Sequence, residues 1–151
     1  MAQSQPRTKP RILVIKRRIA APRARVFAAL TEADQLAKWM GPPGAQARKV
    51  QVDLRVGGLY SMELHGAEGG IYPLSGRYLE IAAPARLVQT WVWGAGDYDG
   101  LETRLTLELT EVPGGTELTL THENLADEKA RELHNEGWSG TLDRLQQIFA
   151  A

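Results

Sequence analysis

Between Val50 and His122 apolar residues recur at every second position; after Ala130 they recur at every third or fourth. A period of two builds strands with one buried face, and a period of three to four builds a helix with one apolar stripe. Neither can hide its apolar side alone. The sequence therefore asks for an antiparallel sheet with one wet face, covered by a single long helix.

The strands follow one another between turn signals. Val50, Val52, Leu54 and Val56 alternate with Lys49, Gln51, Asp53 and Arg55, and Gly57-Gly58 turns the chain. Tyr60, Met62 and Leu64 alternate with Ser61, Glu63 and His65 ahead of a loop from Gly66 to Gly70. A longer strand runs from Ile71 to Ile81, with Gly76 inside it, and Pro84 breaks it. Leu87, Gln89, Trp91 and Trp93 share a face before the loop Gly94 to Gly100. Thr103, Leu105, Leu107 and Leu109 lead to a Pro113-Gly114-Gly115 turn, and Leu118, Leu120 and His122 follow. Upstream, Ile12 to Ile19 is a β-branched run and reads as a strand. Pro22 suits the first turn of a helix carrying Val26, Phe27 and Leu30. Thr31 is the expected cap of a second short helix, with Leu36, Trp39 and Met40 on its apolar side, stopped by Gly41-Pro42-Pro43-Gly44. The last segment is expected to be a helix capped by Asn124, with Asp127 in its first turn. Its stripe is Ala130, Leu133, His134, Gly137, Trp138, Thr141, Leu142, Leu145, Ile148 and Phe149. About 24 residues make a rod of roughly 36 Å.

The fold class is thus α+β, in the order β-α-α-β-β-β-β-β-β-α. A curved antiparallel sheet of about six to seven strands wraps round the C-terminal helix, which is the helix-grip architecture. Residues 1–11 read as a loose polar tail and 12–151 as a single domain, a size that buries a core without disulfides or metals. The 151 residues contain no cysteine, which excludes disulfide scaffolds, thiolate catalysis and cysteine metal sites. The cytoplasm is the expected compartment. No apolar run approaches the roughly 20 residues of a membrane span, and no signal-peptide stretch opens the chain.

The net charge is zero, so bulk charge gives no argument for a nucleic-acid partner. The distribution is uneven. Arg7, Lys9, Arg11, Lys16, Arg17, Arg18, Arg23 and Arg25 all precede the first acidic residue, Glu32. This basic end is read either as a tail with one solvated strand face or as a surface for an acidic partner.

Several blocks carry a family resemblance. They are IAAPRARVFAALTEADQLAKWMGPPG, DLRVGGLYSMEL, GRYLEIAAPARLVQTWVW, GGTELTLTHENL and GWSGTLDRL, in that order from Ile12 to Phe149. Together they resemble the START-like (SRPBCC) superfamily, and within it the subgroup related to the C-terminal domain of the activator of heat-shock-protein-90 ATPase. The resemblance implies a cavity between sheet and helix that takes apolar ligands. It also leaves open a homodimer, a stress-related interaction module, or an enzyme of cyclase, dehydratase or hydrolase type. The co-chaperone has a separate N-terminal domain where this chain has a short tail, so chaperone activation is not expected.

The residues expected to face such a cavity are Trp39, Tyr60, Met62, Tyr78, Trp91, Trp93, Leu105, His122, His134 and Trp138. The aromatic ones serve equally as core, since burying one removes about 150–250 Å² from water. Gly137 and Gly140 each cost a helix interior about 1 kcal/mol relative to alanine. Either the helix approaches a neighbour closely there, or the missing side chains leave room for a ligand. His122 and His134 are the candidate polar groups, as ligand-orienting or acid–base residues near neutral pH or as hydrogen-bonded core histidines. No metal-ligand spacing, nucleophile elbow or phosphate loop is present, so no cofactor is expected. The leading expectation is non-catalytic binding of a small hydrophobic or aromatic molecule, without nucleic acid or integral membrane association. An enzyme is the less favoured reading.

Overall fold

The computed structural model describes residues 11–150. The tail read at 1–11 lies outside them except for Arg11, which already pairs with Leu125. The elements run β1 (Arg11–Ile19), α1 (Arg23–Thr31), α2 (Ala33–Trp39), β2 (Gln46–Val52), β3 (Leu59–His65), β4 (Ile71–Ala82), β5 (Arg86–Trp93), β6 (Glu102–Val112), β7 (Gly115–Leu125) and α3 (Glu128–Phe149). All seven strands form one antiparallel sheet in the order β1-β7-β6-β5-β4-β3-β2. Strands β2 to β7 are joined in sequence to their neighbours, while β1 and β2 lie at opposite edges. The chain between those edges is the α1–α2 pair, which packs on the sheet and touches α3. The helix-grip expectation holds.

The alternation read from the sequence places the core. Tyr60, Met62 and Leu64 of β3, Leu74 and Tyr78 of β4, Leu105, Leu107 and Leu109 of β6, and Leu118, Leu120 and His122 of β7 are all buried on one face. Helix α3 covers that face with Ala130, Trp138, Thr141, Leu142 and Leu145. Its 22 residues make a rod of about 33 Å. Gly76 allows a close approach inside the sheet. The Tyr60 ring lies across it, where a Cβ would clash, and the Tyr60 hydroxyl donates to the Thr90 carbonyl.

Several boundaries differ from the sequence reading. Asn124 does not cap α3; it is the penultimate residue of β7, in a left-handed conformation (φ +66°) that asparagine tolerates better than most residues. The cap is Asp127, whose carboxylate accepts the Ala130 N–H at 2.8 Å. Pro22 stands just before α1 as its cap residue. Thr31 ends α1, with its hydroxyl bonded back to the Phe27 carbonyl, and Glu32 precedes α2 instead. Strand β2 stops at Val52, with a bulge around Lys49 (φ +54°), so Leu54 and Val56 are exposed. A bulge on an edge strand discourages pairing with another chain. Leu133 and Ile148 of the α3 stripe are exposed too.

The basic first strand is not simply a solvated face. Arg17 points inward beside Ile15 and Ile19, and its guanidinium donates to Asp143 at 2.9 Å and to the Ser139 carbonyl at 3.4 Å on α3. Lys16 and Arg18 face outward. Arg7 and Lys9 lie outside the described residues.

Candidate functional site

One end of the covered face is solid and the other is hollow. At the solid end Trp39, Tyr60, Met62, Tyr78 and Leu105, all nearly inaccessible, surround a void of about 20 Å³. That is space for about one water molecule. These five expected ligand contacts therefore lie in the packed core, and the apolar burial that drives folding accounts for them. Burial pushes the Tyr78 hydroxyl up to about 12, and the Tyr60 hydroxyl further.

At the other end a cavity of about 630 Å³ opens between α3, the ends of β3 to β5, and three loops. Trp91, Trp93, His134 and Trp138 line it, so four of the ten expected residues meet there. The 41–44 and 94–100 loops contribute Gly41, Pro42, Asp97 and Tyr98; the 66–70 loop adds Gly66. The indoles form a continuous wall. Trp91 stands 4.9 Å from Trp138 and 5.5 Å from Trp93, centroid to centroid. Leu133 and Tyr72 complete the apolar lining near the rim. Their exposure is what periodicity cannot report: the stripe gives the phase of a helix, not where along it the sheet ends.

Hydrogen bonds fix the chemistry of the two histidines. His122 is fully buried and lines neither space. The Trp138 indole N–H donates to its Nδ1 at 3.1 Å, so Nδ1 carries no proton. Its Nε2–H then donates to the Thr103 hydroxyl at 2.7 Å, which passes its own hydrogen to the Trp91 carbonyl at 2.8 Å. His134 is the mirror case. Its Nε2 accepts from the Trp93 indole at 3.0 Å, and its Nδ1–H donates to the Ala130 carbonyl at 2.7 Å. Each ring is a neutral tautomer with both nitrogens occupied. The rings stand 4.9 Å apart, edge to face. Burial, then the neighbouring His134, pushes His122 down to about 3; burial also lowers His134, against the pull of the Ala130 carbonyl.

The two helix glycines divide between the two readings offered for them. A Cβ on Gly137 would meet nothing within 4 Å, and the residue lines the cavity. A Cβ on Gly140 would sit 2.7 Å from Pro43 Cδ. One glycine keeps space open; the other lets α3 touch the 41–44 loop. Thermal unfolding should separate them. Gly137→Ala gains helix propensity and is expected to raise stability by up to about 1 kcal/mol. Gly140→Ala must displace a proline ring and is expected to lower stability by about 1–3 kcal/mol in spite of the same gain. Shifts of the same sign in both variants would contradict the assignment.

Arg144 was not singled out by sequence reading. Its Nη1 donates to the carbonyls of Gly41 (2.9 Å), Ala45 (3.1 Å) and Pro42 (3.2 Å), and its Nη2 to Lys38 (3.3 Å). It fastens one wall of the cavity to α3. The signal was available: a helix end followed by two prolines strands several carbonyls, and a guanidinium is the side chain with donors enough to collect them. The remaining polar atom of note is the Trp91 indole N–H, which is buried and, among the described residues, has no partner. Trp91 borders both the void and the cavity. No group of three His, Asp or Glu side chains among the described residues is placed to hold a metal, and no helix there is long and apolar enough to cross a membrane.

A family model described as Activator of Hsp90 ATPase homolog 1-like protein matches residues 20–150. Solved structures match over nearly the full length. Protein CV1439 of Chromobacterium violaceum is 30% identical, over 93% of this chain and 98% of its own, with a TM-score of 0.82. The AHSA1 protein SPO3351 of Silicibacter pomeroyi is 27% identical, over 91% of this chain and 96% of its own, with a TM-score of 0.81. Protein NE0264 of Nitrosomonas europaea is 29% identical, over 91% and 93%, with a TM-score of 0.76. No curated protein matches the sequence.

Proposed function

This chain belongs to the Activator of Hsp90 ATPase homolog 1-like family, of START-like fold, and from that premise we propose that it binds a small hydrophobic or aromatic molecule between sheet and C-terminal helix without transforming it. The observation that carries the reading is the cavity of about 630 Å³ walled by Trp91, Trp93 and Trp138. Ligand sites are usually concave, largely apolar and of roughly 300–1,000 Å³. Trp91 and Trp138 reach this space from the core, where both are buried, whereas Trp93 is only half-buried beside it, unlike the sealed Trp39.

Acid–base catalysis finds less support. A general base needs a lone pair free for the substrate, and a general acid needs a proton to give. Both nitrogens of His122 and of His134 are committed to protein partners. A protein partner held by the basic first strand also loses one actor, since Arg17 is engaged by α3.

Titration with the uncharged probe N-phenyl-1-naphthylamine tests the proposal. Energy transfer from the wall indoles should quench tryptophan emission while probe emission rises, saturating at one probe per chain. A linear, non-saturating rise would refute it.

A further inference from the structure

Building on that ligand-binding reading, we propose that the cavity selects uncharged ligands and rejects anionic ones such as carboxylates and sulfonates. The lining has one formal charge, Asp97, and it is negative. Among the described residues no lysine or arginine lines the cavity. The α3 cap Asp127 adds negative charge beside the lining Tyr98.

The cations that could have served an anion are spent or forbidden. His134 faces the cavity but cannot become a cation without rupture. Protonating Nε2 would set its N–H against the Trp93 N–H that now points at it, while Nδ1–H is already given to Ala130. The Arg144 guanidinium, which holds the 41–45 wall, is not in the lining and is shared among the carbonyls of the 38–45 segment. The Thr141 hydroxyl donates to the Gly137 carbonyl. The remaining side-chain donors of the lining are neutral: the hydroxyls of Tyr72 and Tyr98 and the buried, unpartnered indole N–H of Trp91. A neutral hydrogen bond returns only a small part of what an unpaired anion loses when it is stripped of water. The acidic loop also repels anions on approach. An apolar molecule with a carbonyl, ether or amine function enters without that cost.

The test uses two dyes built on one skeleton. N-Phenyl-1-naphthylamine is uncharged, and 8-anilinonaphthalene-1-sulfonate adds one sulfonate. The whole chain is titrated with each at neutral pH, and Gly137→Phe, which narrows the cavity, identifies the cavity-bound signal. The uncharged dye is expected to bind at least tenfold more tightly. Asp97→Lys is expected to narrow that ratio at least threefold, mainly by strengthening sulfonate binding. Equal affinities, both lost in Gly137→Phe, would overturn charge selection and leave ligand binding standing. If neither dye saturates, the binding reading fails and the selectivity falls with it.

Discussion

Gly137→Phe is expected to abolish probe binding while the protein stays folded. The position is unusual because it offers space without strain. Its backbone is helical, so a side chain is tolerated there, and phenylalanine recovers part of the propensity penalty of glycine, which is about 1 kcal/mol relative to alanine. An added Cβ touches no heavy atom within 4 Å, and the residue lines the cavity. A phenyl group there is expected to take up part of the space beside Trp91, Trp93 and Trp138 that a ligand would use. We expect affinity for N-phenyl-1-naphthylamine to fall at least thirtyfold, about 2 kcal/mol. The midpoint of thermal unfolding should hold steady or rise, because the new ring is buried against apolar walls. Two outcomes would count against the picture. Undiminished binding would place the probe elsewhere, and a large fall in the midpoint would mean the space is not there. The comparison with Gly140→Ala guards the inference, since that substitution disturbs the same helix without entering the cavity.

The contrast between those glycines shows where sequence reasoning stops. Period-two alternation identified the inner face of β3, β5, β6 and β7 residue by residue, because a strand buried on one side leaves its pattern in every second position. The same logic set His122 inward and His65 outward, beside Glu63. Periodicity could not say which inward residues meet a solid core and which meet a hollow. Trp39 and Trp93 are both inward aromatics. One docks on the Ala29 carbonyl at the bottom of the core; the other borders the cavity and holds His134. That difference depends on which end of α3 lies over closely packed strands. It is a property of several segments at once. Leu133 illustrates it again: it keeps the helical phase but stands beyond the sheet's cover, at the rim. The cap of α3 was missed for a local reason. Asn124 and Asp127 are both good capping residues, three positions apart, and β7 pairs through Leu125, which leaves only Asp127 free to begin the helix.

Acid should loosen the fold well above the pH at which carboxylates titrate, and His122 should be the main cause. In the folded protein its Nδ1 receives the Trp138 indole hydrogen, so protonation would bring two N–H groups together inside a closed core. The folded ring therefore holds out against protonation down to about 3, whereas the unfolded ring titrates near its ordinary 6.5. Between those values the unfolded chain binds the extra proton, so stability is present above about 6.5 and is lost progressively as the pH falls towards 3. From pH 7 to pH 5 this one residue should cost about 2 kcal/mol. His134, lowered in the same direction by burial, adds to the loss with the same sign. Glu63, lowered chiefly by its hydrogen bond to His65, acts only as the pH falls through the ordinary carboxylate value and below it. Urea unfolding followed by tryptophan emission at both pH values measures the change. The control is His122→Gln, whose amide can accept from Trp138 and donate to Thr103 without titrating. It is expected to be less stable at pH 7 but to lose much less between pH 7 and 5. An undiminished slope in that variant would move the acid sensitivity to another group and break the link between the buried hydrogen-bond chain and the tautomer assigned to His122.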